Sequence, residues 1–300
     1  MSAPYLERLG RRIEATGSVL CLGVDPDPAA LPAGFSPDVA GVEAFVALLL
    51  DAALPYAAAV KPNLAFFEAF GSAGLAALER LRARVPADVP LIADAKRGDI
   101  GSTSARQAVA LFDRLGADAV TASPYLGAAA IGPLLERTDR FVYVLCRTSN
   151  PGAGELQDLE VAAHPATGAP AEPLYLRVAR RAAGWSGRYA TVGLVVGATA
   201  PDEMGRVRAV AADLAFLVPG IGAQGGDAAV AMQAGPARGG VAGSQPGGAL
   251  LVNVARGIAT AAHGAPDPGE ALAAAARGWV ARLRVLESNT RVKGRGMRSV

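Results

Sequence analysis

The sequence predicts an α/β fold, a (β/α)8 TIM barrel formed by a single domain. Short runs with strand composition alternate with longer helical patterns almost throughout the chain, which is typical of parallel βαβ units. The length of 300 residues fits one barrel, since such barrels run to about 250 residues or more. The hydrophobic fraction of 51%, with only 5% aromatic residues, indicates a core of Ala, Val and Leu that suits helices packed closely around a sheet.

Eight runs have the composition of strands, and this number favours a closed barrel over an open sheet. They span residues 19–25, 57–62, 90–96, 119–122, 141–146, 191–196, 214–218 and 249–254. The glycine-rich turn of a dinucleotide-binding fold is missing after the first run, because Gly23 is followed by Val-Asp-Pro.

Helical patterns fill the connections between these runs, with examples at residues 42–54, 72–85 and 104–115. In the second of them, Leu75, Leu78 and Leu81 are expected to form one apolar stripe. Residues 1–15 also form an amphipathic helical pattern, and they lack the apolar core of a signal peptide.

The two ends of the chain differ in composition. We predict a barrel at residues 1–287 and a basic tail at residues 288–300, within a chain of net charge +2. The tail has no aromatic residue for stacking and no binding motif, so it is interpreted as a frayed terminus and no nucleic-acid partner is expected.

Membrane insertion and secretion are not expected either. The longest uncharged stretch, residues 119–135, is interrupted by polar residues and prolines and is a poor match to the ~20 apolar residues of a membrane span. Cys21 and Cys146 lie in apolar runs, as reduced and buried cysteines usually do. These features predict a cytoplasmic protein.

The third predicted strand ends in the most informative cluster of charges. Asp94 and Lys96 are two residues apart, so they lie on the same face of a strand, and Gly98 then turns the chain towards Asp99. Two carboxylates near one ammonium can hold it charged and aim it at one atom of a substrate. The alternative is a hydrated strand end whose charges serve only solubility.

Polar residues recur at the ends of the other predicted strands, where barrel enzymes gather their functional groups. The first strand ends in Asp25 and the second in Lys61, while the fifth runs into a Thr-Ser-Asn-Pro-Gly loop that contains Ser149. Two alternatives remain open: Asp25 can serve as a turn former before proline, and Lys61 can extend its ammonium out of the barrel rim.

A phosphate site is predicted after the last two strands. The loop at residues 219–227 carries four glycines, which allow backbone N–H groups to approach an anion. Arg256 and Gly257 open a short helix at residues 258–262, whose N-terminus favours negative charge. The alternative is that these glycines only make tight turns.

The fifth connection, residues 151–173, is unusually long, and a loop of this length is generally a functional cover or disordered. His164 in its middle is interpreted as a surface residue and His263 as a helix-terminal one. With only these two histidines, neither a Ser-His-Asp triad nor a His-rich metal site is expected.

Taken together, these stretches resemble the orotidine 5′-monophosphate decarboxylase family, particularly its longer bacterial branch. The resemblance covers nearly the whole chain in order. It is carried by Leu-Gly-Val-Asp25-Pro-Asp-Pro, Val-Lys61-Pro-Asn-Leu-Ala-Phe-Phe-Glu68, Asp94-Ala-Lys96-Arg-Gly-Asp99-Ile-Gly-Ser-Thr103, Thr148-Ser149-Asn-Pro-Gly, Pro219-Gly-Ile-Gly-Ala-Gln224-Gly-Gly and Asn253-Val-Ala-Arg256-Gly257.

The resemblance implies a cofactor-free decarboxylase of pyrimidine biosynthesis, acting as a homodimer with shared active sites. That catalysis needs no metal is a separate hypothesis, based on Lys61 at the end of the second strand and on the lack of a cluster of metal ligands in the sequence. The resemblance also implies that Asp94, Lys96 and Asp99 surround C6 of the pyrimidine, with Asp99 and Thr103 supplied by the partner subunit. The remaining assignments are to parts of the nucleotide: Asp25 and Lys61 to ribose hydroxyls, Ser149 to the pyrimidine amide edge, and Gln224, Arg256 and Gly257 to the phosphate.

Two rival functions remain. The first is a magnesium-dependent decarboxylase or aldolase acting on a sugar phosphate, which resembles the same superfamily and shares the Asp-x-Lys-x-x-Asp pattern. That rival should carry a carboxylate ligand where this chain has Lys61, which repels a divalent cation. The second is an inactive barrel that binds nucleotides as a regulator.

Overall fold

Eight parallel strands form the centre of the molecule in a computed structural model that describes residues 4–222 and 225–285. The strands are β1 Leu20–Val24, β2 Ala59–Pro62, β3 Ile92–Arg97, β4 Ala119–Ala122, β5 Phe141–Arg147, β6 Val192–Val196, β7 Phe216–Val218 and β8 Leu251–Val254. They are hydrogen-bonded in the order β2-β1-β8-β7-β6-β5-β4-β3. Single bridges from Val60 to Leu91 and from Asn63 to Asp94 join β2 to β3, so the predicted barrel is confirmed.

Helices surround the barrel and occupy its connections. They are α1 Tyr5–Thr16, α2 Val39–Ala53, α3 Ala65–Glu68, α4 Gly71–Arg84, α5 Gly101–Ala108, α6 Ala128–Leu135, α7 Gly154–Gln157, α8 Leu174–Ser186, α9 Pro201–Val210, α10 Ala228–Ala234, α11 Gly240–Gly243, α12 Arg256–Ala259 and α13 Pro268–Arg282. The predicted helix at 104–115 is found as α5 followed by a π-helix, Val109–Arg114.

Helix α1 covers the amino-terminal end of the barrel. Leu9 and Ile13 are buried as the amphipathic pattern predicts. The Tyr5 ring stacks on Phe141 at the start of β5 with 4.8 Å between centroids. Arg8 donates to Asp118, just before β4, over 2.7 Å. This end of the barrel is therefore filled, and ligands have access from the opposite end.

The stretch Val39–Tyr56 is long and apolar enough, by composition, to pass for a membrane span. In the fold it is α2 and a following turn, and the side chains of Phe45, Val46 and Leu49 are buried in the core. Its apolar character is thus accounted for by packing against the barrel.

The expected stripe on α4 is wrong at one position. Leu78 and Leu81 are buried, whereas Leu75 is 45% exposed. The buried face passes instead through Gly74, where a β-carbon would lie 1.9 Å from the Phe67 carbonyl oxygen. This close approach turns the neighbouring Leu75 towards solvent.

The long fifth connection is ordered rather than irregular. It contains α7 and a two-stranded antiparallel pair, Glu160–Val161 with Glu172–Pro173. Glu172 is buried and accepts from Arg177 over 2.8 Å and from Arg180 over 2.9 Å, both on α8. These ion pairs fasten the connection to the barrel wall.

The histidines and the cysteines lie where the sequence predicts them. His164 is exposed on the long connection and His263 follows the turn Thr260–Ala262, as predicted. Cys21 and Cys146 are both buried and unpaired, also as predicted. The predicted basic tail at 288–300 and Gln224 lie outside the described residues.

Candidate active site

A cavity of about 280 Å³ opens at the carboxyl ends of the barrel strands. Of the nine predicted site residues that the structure describes, six line it, namely Asp25, Lys61, Asp94, Lys96, Ser149 and Arg256. They lie in β2 and β3 and in the segments that follow β1, β5 and β8, which are distant in sequence. Parallel strands bring all their carboxyl ends to one face of a barrel, and this explains the convergence.

Asp94 is the centre of the cluster, because its two oxygens hold two lysines. Its Oδ2 lies 2.6 Å from Lys61 Nζ and its Oδ1 lies 2.7 Å from Lys96 Nζ. Burial raises the pKa of Asp94, but the positive charges of Lys61 and Lys96 outweigh burial and hold that pKa well below its usual range. Asp94 is therefore a stable carboxylate, not a hydrated charge at a strand end.

Lys61 is inside the barrel rather than extended from its rim, since its side chain is only 4% exposed. Burial lowers the pKa of Lys61, but its attraction to Asp94, and then to Asp25, has the larger combined effect and raises it. Lys61 is therefore a buried cation held by carboxylates, and the alternative interpretation from sequence is wrong.

Lys96 has an unusual backbone. Its φ is 50°, in the left-handed region, which costs a residue with a side chain roughly 1–3 kcal/mol. The ladder between β3 and β4 is interrupted here, between Ala93 and Arg97. Thr121 on β4 fills the gap: its Oγ1 accepts the amide hydrogens of Ala95 and Lys96, each over 3.0 Å. Thr121 was not among the site residues predicted from the sequence, although it is the polar member of an apolar strand.

Asp99 and Thr103 are not among the residues that line the cavity. A β-carbon at Gly98 would lie 2.8 Å from the Ser123 carbonyl oxygen, so glycine is required at this turn. Beyond it, Asp99 Oδ1 accepts from the backbone N–H of Ile100 over 2.7 Å. Within this chain, Asp99 thus leaves the strand that carries Asp94 and Lys96. Supply of Asp99 and Thr103 by a partner stays a prediction.

Two acceptor atoms in the cavity wall have no hydrogen-bond partner among the described residues. They are Oδ1 of Asp25 and Oδ1 of Asn253, both buried atoms. Asn253 as a whole is 8% exposed on β8, whose neighbour in the sheet is β1. Buried acceptors are costly without donors, so the two atoms are available to accept hydrogens from the hydroxyl or amide groups of a bound molecule. Asn253 was also missed, although it interrupts the apolar run of β8.

Ser149 is placed by close packing and by the long connection. A β-carbon at Gly197, after β6, would lie 2.7 Å from the Ser149 backbone nitrogen, so only glycine allows this approach. The preceding Thr148 is held by Gln157 of α7 through two bonds: Gln157 Oε1 accepts from the Thr148 N–H over 2.8 Å, and Gln157 Nε2 donates to Thr148 Oγ1 over 3.0 Å.

The predicted phosphate site is only partly brought to the same cavity, because Gly220 and Arg256 line it and Gly257 does not. Gly220 and Gly222 have φ values of 92° and 78°, conformations that favour glycine. Arg256 begins α12, as the sequence predicted, and lines the cavity. Gly257 is packed against Trp279, whose Nε1 donates to the Gly257 carbonyl over 3.1 Å. A β-carbon at Gly257 would lie 3.0 Å from Val254 and 3.1 Å from Trp279.

Comparison with known proteins shows the family of this chain. The model of the Orotidine 5'-phosphate decarboxylase / HUMPS family matches residues 18–275. The chain belongs to this family. Two relatives called orotidine 5′-phosphate decarboxylase are similar to it: that of Thermomicrobium roseum is 46% identical over 91% of this chain and 92% of its own length, and that of Halorubrum lacusprofundi is 46% identical over 88% and 90%.

Solved structures of the family agree with the fold. The putative orotidine-monophosphate-decarboxylase of Toxoplasma gondii has a TM-score of 0.81 at 37% identity, covering 92% of this chain and 94% of its own. The OMP decarboxylase of Leishmania donovani has a TM-score of 0.75 at 38% identity, covering 93% and 98%.

The donor set of the cavity is cationic rather than metal-binding. Among residues 4–222 and 225–285, no group of three or more His, Cys, Asp or Glu side chains could hold a metal ion. Lys61 ends β2, where the magnesium-dependent rival requires a carboxylate. That cofactors and metals are unnecessary stays a prediction, tested below.

Proposed function

We propose that this protein decarboxylates orotidine 5′-monophosphate to uridine 5′-monophosphate in pyrimidine biosynthesis, without a cofactor, and that Lys96 stabilises and then protonates the carbanion at C6. The observation that carries this assignment is the Lys61-Asp94-Lys96 array in the cavity of a chain that belongs to the decarboxylase family. The Lys96 side chain is 51% exposed and lines the cavity, so it is accessible to a ligand there.

The reaction requires local electrostatic stabilisation. Loss of CO2 from C6 leaves an electron pair in the plane of the pyrimidine ring, where the π system cannot absorb it. A positive charge about 4 Å from the developing carbanion stabilises it by about 4 kcal/mol at an effective dielectric constant near 20. Lys96 supplies that charge from a position already fixed by Asp94, so little reorganisation is required. Its N–H bond then breaks, and the proton forms the new C6–H bond.

Asp94 faces the leaving carboxylate in this arrangement. Because Lys61 and Lys96 keep Asp94 ionised, two negative charges are crowded before the reaction and separate as CO2 leaves. This ground-state effect adds to the stabilisation by Lys96.

The rest of the nucleotide is held by the groups around the array. Asp25 and Lys61 bind ribose hydroxyls, and the ribose O–H groups supply donors for the unpartnered oxygen of Asp25. Ser149 binds the amide edge of the pyrimidine. Gln224, Arg256 and Gly257 bind the phosphate. Arg256 lines the cavity, and its guanidinium is suited to pair with phosphate oxygens. Binding energy from these remote contacts orients the ring over Lys96.

A homodimer completes the site in this proposal, with Asp99 and Thr103 acting in the partner's cavity. Exposed apolar side chains beside Asp99 support it: Ile100 is 67% exposed, Tyr125 81% and Leu126 56%. The Asp99 N–H donates to the Ala130 carbonyl on α6 over 3.4 Å, so the turn that carries Ile100 lies beside the helix that follows Tyr125 and Leu126. Large apolar side chains exposed close to one another mark interaction sites. The absence of nucleic-acid and membrane partners, and a cytoplasmic location, are part of the same proposal.

The first experiment is turnover of orotidine 5′-monophosphate, followed by the absorbance change of the pyrimidine and by released CO2. One CO2 per uridine 5′-monophosphate is expected. Lys96→Ala should lower kcat by at least about 100-fold, the size of effect seen when one group that stabilises transition-state charge is removed. Binding of the nucleotide without turnover by the wild-type protein would instead support the regulatory rival.

Chelation separates the decarboxylase from its magnesium-dependent rival. Exhaustive treatment with EDTA, followed by gel filtration into chelator-treated buffer, is expected to leave kcat and KM unchanged, because lysines replace the metal as the positive charge. A large loss of activity that Mg²⁺ restores would favour the rival. Buffer exchange without chelator is the control.

A further inference from the structure

The backbone at Lys96 requires a hydrogen-bond partner that the barrel ladder does not provide. Ala93 pairs with Val120 and Arg97 with Ala122, so three residues of β3 face a single residue of β4, Thr121. Lys96, with its left-handed φ of 50°, is the last of these three residues. Without another acceptor, the amide hydrogens of this bulge would be left unpaired beside the cavity.

The Thr121 hydroxyl fills this gap with its whole bonding capacity. Oγ1 accepts from the N–H of Ala95 and from the N–H of Lys96, each over 3.0 Å. It also donates to Asp94 Oδ1 over 2.9 Å. A hydroxyl has one hydrogen and two lone pairs, so all three bonding positions are occupied. Thr121 is 2% exposed and has no bonding capacity left for a substrate.

We propose that Thr121 is a positioning residue, which fixes the left-handed backbone at Lys96 and the carboxylate of Asp94 with one hydroxyl. Lys96 is thereby aimed into the cavity before a substrate enters. The proposal rests on the function proposed above for Lys96. This role differs from a purely structural one. Loss of the hydroxyl should weaken the interaction of Lys96 with charge at C6 and should not weaken the binding of ribose or phosphate.

The decisive comparison is between Thr121→Val, which keeps the shape but removes the oxygen, and Thr121→Ser, which keeps the oxygen. Thr121→Val is expected to lower kcat about 100-fold, the effect of misplacing a reacting group by about 1 Å, with KM changed by less than about threefold. Thr121→Ser should stay within about threefold of wild type, because its hydroxyl makes the same three bonds.

Binding of two ligands distinguishes a loss of Lys96 positioning from general damage to the cavity. Uridine 5′-monophosphate has no charge at C6, whereas 6-hydroxyuridine 5′-monophosphate places an anionic oxygen there. Thr121→Val should weaken binding of the second ligand by about the same factor as it lowers kcat, since a transition-state mimic loses what the transition state loses, and should leave the first nearly unchanged.

Thr191→Val is the matched control. Thr191 is also buried at a strand and donates to the Leu135 carbonyl over 2.6 Å, outside the cavity. It should lower the melting temperature without changing the ratio of the two ligand affinities. If Thr121→Val does not fold, Thr121→Ala removes the same oxygen without adding a methyl group to the bulge and is measured in its place.

The proposal is overturned if the variant without the oxygen keeps wild-type kcat, if Thr121→Ser loses as much activity, or if both ligands weaken equally. The function itself is tested separately by turnover of the wild-type protein. Wild-type protein that fails to release CO2, while Thr121→Val still weakens only the C6-anionic ligand, would overturn the decarboxylase but keep the positioning role.

Discussion

At the residue scale, single polar groups of the site each bond several partners. One carboxylate, Asp94, serves two lysines, and one hydroxyl, Thr121, serves two amides and that carboxylate. Because each group satisfies several others, the loss of one leaves more than one polar partner unpaired in a partly buried place. Substitutions in this cluster are therefore expected to be strongly non-additive.

Arg256 offers a test of phosphate binding that does not disturb this cluster. Arg256→Ala is expected to raise KM for orotidine 5′-monophosphate by about 10- to 100-fold, since a hydrogen bond to a charged group contributes about 1.5–3 kcal/mol. It should also lower kcat if phosphate binding energy orients the ring. The measurement is steady-state kinetics with the nucleotide and with orotidine, which lacks the phosphate.

Orotidine should hardly respond to the same substitution. Arg181→Ala, on the exposed face of α8, is the charge-matched control and should change neither substrate. Equal damage to nucleotide and nucleoside would mean that Arg256 supports the fold around Trp279 rather than the phosphate.

The two cysteines give a prediction about protonation. Burial raises the pKa of Cys21 to about 12, even though the charge of Lys61 opposes the shift, and burial raises that of Cys146 to about 12 as well. The thiolate is the reactive form, so neither residue should react with iodoacetamide at pH 8 in the native protein. Mass spectrometry should show no adduct until urea is added, and then two. Rapid labelling of the native protein would contradict this burial.

At the scale of elements, the long fifth connection is a support for the pyrimidine loop. Gln157 of α7 holds Thr148 by two bonds, and Asp158 lies 3.1 Å from Arg147 at the end of β5. The connection is itself fastened by Glu172 to α8. The residues before Ser149 are therefore held from the outside by a segment whose sequence resembles a loose loop.

This arrangement predicts a catalytic effect of Gln157. Gln157→Ala should lower kcat/KM for orotidine 5′-monophosphate by about 5- to 30-fold, because two hydrogen bonds of about 1 kcal/mol each no longer hold the Ser149 loop. Leu156→Ala is the control on the same short helix, since its side chain is 59% exposed. The measurement is steady-state kinetics of both variants. Comparable losses of kcat/KM in the two would indicate damage to α7 as a whole.

At the scale of the whole molecule, the barrel cavity contains Asp94 and Lys96 of the expected array, whereas Asp99 lies outside that cavity. The turn at Gly98 carries Asp99 away from the Lys96 cavity, next to exposed Ile100. A two-fold dimer would return Asp99 to a cavity, but to that of the other subunit. Activity would then depend on association of two chains.

Subunit complementation tests this dependence. Lys96→Ala and Asp99→Ala homodimers should each be nearly inactive, and mixing them under conditions of subunit exchange should restore activity. Random exchange makes about half of the dimers mixed, and each mixed dimer has one intact site, so recovery should approach about a quarter of wild-type sites. Native mass spectrometry measures the exchange, and unmixed variants carried through the same treatment are the control. Demonstrated exchange without recovery would place Asp99 in its own chain's site.

The sequence by itself determined the barrel and the charged groups that line its cavity among the described residues. Alternation of strand and helix patterns is local information, and so is the spacing of Asp94 and Lys96. Their side chains do meet over 2.7 Å, although a bulge with a left-handed Lys96 interrupts the regular strand. Position at the end of a parallel strand was then enough to bring Asp25, Lys61, Ser149 and Arg256 to one face.

Only the tertiary structure decided how these groups are held. The roles of Thr121 and Asn253 depend on which residues stand opposite each other in neighbouring strands, and this register follows from closure of the barrel rather than from either strand alone. The exposure of Leu75 and the hydrogen bonds from Gln157 to Thr148 also depend on tertiary structure, because both are set by close contact with other segments of the chain. A periodic pattern specifies which face of an element is apolar, whereas hydrogen-bond partners across elements are specified by packing.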